Sequence, residues 1–111
     1  MSSTIHSTHY ADSPDLALAA LRHPPLEQAL SAACAELEVQ QAYLAALRDP
    51  AIGPQPRLLL AVAGADVRVQ RRLAALVAEL LPDEVELDLI ELADDNLSRA
   101  VRERCKAFYP A

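Results

Sequence analysis

Residues 39 to 48, VQQAYLAALR, read as a β-strand that offers no clearly wet side. One alternating set is Gln40, Ala42, Leu44 and Ala46, and the other is Gln41, Tyr43, Ala45 and Leu47. Side chains alternate between the two faces of a sheet, so a strand apolar in both sets must be covered on both sides. RLLLAVA, residues 57 to 63, repeats the message as a short continuous apolar run. Any fold for this chain has to cover a central hairpin twice.

The rest of the chain supplies the cover. LALAAL, residues 16 to 21, is open between helix and strand, and its closure by Pro24 and Pro25 favours a brief strand. A first helix starts at the double proline, where a missing N–H breaks no intrahelical bond. Its apolar stripe is Leu26, Ala29, Leu30, Ala33, Cys34 and Leu37. RDPAIGPQP, residues 48 to 56, is a turn region. After Gly64, Asp66 is a natural cap for a second helix with the stripe Val69, Leu73, Leu76, Val77 and Leu80, ended by Pro82. VELDLIEL, residues 85 to 92, starts as an alternating strand, then places Ile90 and Leu92 on its other side. Asp94 or Asp95 caps a third helix carrying Leu97, Val101, Cys105 and Phe108. Residues 1 to 14 lack any apolar period and read as a mobile tail before a single domain over 15 to 111.

The order β, α, β, β, α, β, α predicts an α+β, ferredoxin-like βαββαβ sandwich with an added C-terminal helix. Two helices on one face leave the other open, with Tyr43 and Leu47 looking outward beside Leu59. Leaving such side chains wet forgoes roughly 1.5 to 3 kcal/mol each. Either the third helix with the AFYP terminus or a second subunit must cover them. Tyr43, Leu47, Leu59, Phe108 and Tyr109 are therefore candidate interface residues, and a homodimer is the expected partner state.

Three quoted stretches carry a resemblance to a known family. VQQAYLAAL, PRLLLAVAGAD and LPDEVELDLIELADDNLSRAVRERCKAFYP together resemble the C-terminal domain of the bacterial enhanced serine sensitivity (SseB) proteins, over roughly residues 16 to 110. The resemblance implies the same α+β domain, a phenotype linked to serine, and no assigned reaction or catalytic residue. Members usually carry a separate N-terminal domain, of which this sequence shows only the short tail.

Composition narrows the chemistry. A formal net charge of -6 repels phosphate backbones and anionic lipid heads, so neither nucleic acid nor membrane is the expected partner. No apolar run nears the ~20 residues that cross a bilayer, and no basic start leads into an apolar segment. A cytoplasmic protein is expected. Cys34 and Cys105 both fall on core stripes, which suits buried thiols rather than nucleophiles. His6, His9 and His23 do not form a metal-binding spacing. With only 2 glycines there is no phosphate-cradling loop, and no GxSxG or HExxH motif occurs. The expectation is a non-enzymatic protein-interaction domain without cofactor or metal. The alternative is a regulator or enzyme of serine metabolism that holds an amino acid or other anion on Arg68, Arg71 and Arg72. Those arginines also suit surface pairing with the acidic run from Asp83 to Asp88.

Overall fold

The structure, a computed structural model, describes residues 4–7, 17–48, 57–81 and 86–110. Along the chain the elements are β1 (Thr4–Ser7), β2 (Ala17–Ala20), α1 (Pro24–Glu36), β3 (Gln41–Arg48), β4 (Arg57–Ala63), α2 (Val67–Leu80), β5 (Glu86–Glu91) and α3 (Asn96–Arg104). From β2 onward this is the α+β, ferredoxin-like succession βαββαβ with its C-terminal helix. The strands form one 5-stranded sheet in the order β1-β5-β4-β3-β2. From β2 to β5 they thus lie in chain order, where a split βαβ unit would set its first strand beside its third. The β2–β3 and β3–β4 pairs are antiparallel, and β4–β5 and β1–β5 are parallel.

Local chemistry explains each boundary. Pro24 and Pro25 occupy the first turn of α1, and His23 caps it: its Nδ1 accepts from the Leu26 N–H while its own N–H donates to Glu27 Oε2. At the other end Glu38 takes φ 59°, and the Val39 N–H closes the turn on the Cys34 carbonyl. Gly64, at φ 80°, turns the chain from β4 towards α2, where the Asp66 carboxylate accepts from the Val69 N–H. Asp95 does the same for α3 through the Ser98 N–H. Of the two aspartates considered for that cap, the second holds it.

One expectation needs correction. Within the stretch read as a tail, Thr4–Ser7 lies beside β5 as an edge strand, in register from Thr4↔Glu86 to Ser7↔Leu89. An edge strand pairs through backbone groups, so it needs no apolar period of its own. The remaining tail residues, the loop over 49 to 56, and Pro82 lie outside the described residues.

The sheet separates two apolar layers. On one side Ala42, Leu44, Leu60, Val62, Leu87 and Leu89 meet Leu30, Ala33 and Cys34 of α1 and Leu73 and Val77 of α2. On the other, Tyr43, Ala45, Leu47, Leu59, Ala61 and Ile90 meet Leu97, Val101 and Cys105 at α3. The hairpin that needed two covers has them both from its own chain.

Candidate functional site

The outer sheet face, the expected site of self-association, is the floor of the α3 layer. Tyr43 retains 8% exposure, and Leu47 and Leu59 retain 1% each. Asp95 and Ser98 fix the start of α3, since the Ser98 Oγ also accepts from the Ala93 N–H. From there Leu97 and Val101, four residues apart, share one side of the helix and press onto the strands. Of the two covers considered, α3 is the one present, and these three side chains are not a surface.

Phe108 and Tyr109 are half-buried and take a different place from the one expected. After Cys105 the chain passes to the edge of β3, where the Ala42 N–H donates to the Tyr109 carbonyl and the Phe108 N–H to the Ala42 carbonyl. This bridge occupies the stretch of β3 that the short β2 does not reach. Both aromatic side chains pack against the α1–α2 layer, not the α3 layer. The five expected interface residues thus belong to two separate intramolecular contacts.

One charged pair sits inside the α3 side of the sheet. Arg57 grips Asp88 with two bonds, Nε to Oδ2 at 2.7 Å and Nη2 to Oδ1 at 3.0 Å, and both residues make further contacts. The Asp88 side chain is 3% exposed and that of Arg57 25%. The expected surface pairing of Asp88 with the α2 arginines is therefore replaced by a buried one with β4. Asp83 and Glu84 lie outside the described residues.

Arg68, Arg71 and Arg72 stand exposed on α2, and among the described residues none is in an ion pair. The hollows lined by described residues include two that lie elsewhere. One of about 530 Å³ runs between the start of α1 and the end of α2, lined by Leu21, Leu26, Leu58, Leu80 and Leu81. Leu80, expected in the core stripe, lines it at 47% exposure. A smaller one of about 250 Å³ sits at Ala17, Ala19 and Ala46 beside β2.

The thiols and His23 carry structure. Cys34 and Cys105 are free, buried, and on opposite sides of the sheet. Burial pushes the Cys34 thiol up from 9.0 to about 11 and raises that of Cys105, whose neighbour Arg104 opposes the shift. A raised folded value means that the protonated thiol stabilises the fold fully below the ordinary thiol value, and that this contribution is lost as pH climbs from about 9 towards about 11. Thermal melts across that range are expected to fall more for the parent than for Cys34→Ala, by on the order of 2 kcal/mol. Equal alkaline slopes would remove burial as the cause. His23 is engaged as a helix cap, and His9 and the side chain of His6 lie outside the described residues. Among the described residues no group of three or more His, Cys, Asp or Glu is placed to hold a metal ion, and no helix is long and apolar enough to cross a membrane.

Fold and site together define a small α+β sandwich domain whose polar side chains cap helices and close an internal ion pair, with both sheet faces covered. The model of the SseB protein C-terminal domain matches residues 16–110, and the chain belongs to that family. It is a family of uncertain function and not one of known enzymes. No curated protein and no solved structure matches the chain.

Proposed function

We propose that the chain is a non-enzymatic protein-interaction domain that self-associates, and that the contact runs along the free edge of β2. The observation that carries this is the state of that edge. Among the described residues β2 ends the sheet, and Ala17, Ala19 and Ala20 are exposed. The Leu21 N–H donates to the Leu44 carbonyl, which makes Leu21–Leu44 a hydrogen-bonded pair in the β2–β3 register. Such pairs alternate along an antiparallel ladder. Ala19–Ala46 and Ala17–Arg48 are then bonded pairs too, and the N–H and C=O groups of Leu18 and Ala20 point away from β3.

A second copy suits that edge. Rotated by a two-fold axis at Ala19, two β2 strands set Leu18 against Ala20 twice, which pairs all the outward groups of both residues. ALAA carries no charge to select a charged partner and no bulk to hold a second strand off. The small hollow at Ala17, Ala19 and Ala46 adds apolar area beside the new pairing. Natural edges usually avoid such pairing with charges or proline, and neither stands within β2. Two free thiols support a reducing, cytoplasmic setting. Any tie to serine metabolism then runs through what the domain binds, not through a reaction of its own.

Proline separates this contact from the fold. Ala20→Pro deletes an outward donor and leaves the β3 pairing intact, so a sedimenting dimer is expected to become a folded monomer with a melt within a few degrees of the parent. Ala19→Pro deletes a donor used by β3 and is expected to destabilise the domain itself. A parent that sediments as a monomer at high concentration, or an Ala20→Pro variant that still dimerises, removes the reading.

A further inference from the structure

The charges on α2 run against the field of their own helix. The first turn of a helix favours carboxylates and the last favours cations. α1 has Glu27 in its first turn, and α3 has Arg102 and Arg104 in its last. α2 has no acidic residue in its first turn and no basic one in its last. Instead Arg68 stands in the first turn, Arg71 and Arg72 follow, and Glu79 falls in the last. Arg68 is three and four residues from the other two, so the three cations share a face and repel one another. Among the described residues no carboxylate forms an ion pair with any of the three. Glu91, the carboxylate that reaches α2, accepts from Gln70, and the α2 N-terminus is already capped by Asp66. Of the large apolar side chains exposed among the described residues, Val67 is the most exposed at 64%, and it lies one turn from Arg71 on the same side of the helix.

A helix arranged at the expense of its own stability, with an aliphatic side chain among cations that form no ion pair among the described residues, suits something anionic and partly apolar. All three arginines stand exposed on the helix, so the face suits an extended surface and not an enclosed small molecule. A long polyanion, whether nucleic acid or anionic bilayer, would feel the net charge of -6. A short segment senses only charges within about 8 to 10 Å. We propose that this face of α2 docks an acidic segment of a partner protein, its carboxylates held by Arg68, Arg71 and Arg72 and an aliphatic side chain set against Val67.

This deepens the interaction-domain reading without using the β2 edge, and Ala20→Pro is expected to leave it unchanged. The probe is a short fluorescent Asp/Glu-rich peptide with a central leucine, read by anisotropy at low salt against its Asn/Gln counterpart. The acidic peptide is expected to bind, to weaken as salt rises, and to lose at least about tenfold in affinity with Arg68→Glu/Arg71→Glu. Arg68→Glu alone is expected to raise Tm by about 2 to 4 °C, because a carboxylate suits that turn. Gain of stability with loss of binding is the signature of a functional charge. Equal binding of both peptides, no binding of either, unchanged affinity in the double variant, or a lower Tm for Arg68→Glu overturns the proposal. So does a preference for heparin or phosphatidylglycerol vesicles over the acidic peptide.

Discussion

Leu47→Glu is expected to abolish the folded state, not to release a folded monomer from an oligomer. Leu47 is 1% exposed and faces Leu18 across the β2–β3 pair, in the layer closed by Val101 and Cys105. A carboxylate there must either stay protonated or ionise in the core, and the one cation opposite it, Arg57, is already gripped by Asp88. Moving an unpaired charge out of water costs several kcal/mol even after relaxation. A domain of this size has about 5 to 15 kcal/mol in all. Graded substitutions locate the cause: Leu47→Met is expected to cost under about 1.5 kcal/mol, and Leu47→Ala about 2 to 5. Urea melts with far- and near-ultraviolet circular dichroism measure the series. A soluble Leu47→Glu variant with native near-ultraviolet signal and a lower sedimentation mass would show that the face opens to a partner and that α3 is not its resident cover.

The two-sided hairpin was legible because periodicity reports burial directly. Ala42 and Leu44 go to one layer and Tyr43, Ala45 and Leu47 to the other, as the two alternating sets require. The reversal at Ile90 and Leu92 likewise marks where β5 passes beneath α3. Capping chemistry is local, so Pro24, Pro25, Asp66 and Asp95 fixed helix starts to within a residue. What covers a face is a different kind of fact. It depends on where α3 is delivered by the turn after β5, and the short stripe of Leu97, Val101 and Cys105 does not specify which sheet face it meets.

The same limit hid several other features. β1 left no trace because edge pairing uses groups common to every residue. The β2 edge depends on sheet order, although ALAA, short and free of charge, was a signal once its strand was known to be terminal. Leu80 obeys the helical period yet overhangs the sheet at the end of α2, so period and burial part company there. The arginines were visible as a cluster, and only the structure shows that they form no ion pair among the described residues.

Asp88→Ala is expected to destabilise the domain by about 3 kcal/mol, more than any surface charge here. In β5 the residue falls on the side that alternation assigns to solvent, and its partner stands at the first position of β4. Register joins them: Leu58 pairs with Leu87 and Leu59 with Asp88, which brings the Arg57 guanidinium within 2.7 Å of the carboxylate. Removing the carboxylate leaves a cation that is three-quarters covered, with two donors unmatched. That penalty arises from the orphaned partner, so removing both charges is expected to recover most of it. Arg57→Met with Asp88→Leu keeps approximate volume, and it is expected to melt within about 1 kcal/mol of the parent. Asp88→Asn, which keeps an acceptor and loses the charge, is expected to fall between. Urea midpoints of the parent, Arg57→Met, Asp88→Leu and the double variant, with the slopes compared to confirm a common unfolded state, give the coupling energy. A double variant as unstable as Asp88→Ala would mean that the further contacts of these residues, and not the ion pair, hold this corner of the sheet. A loss under about 1 kcal/mol in Asp88→Ala would place the pair with ordinary surface bridges, and the burial of its carboxylate would then have no energetic consequence.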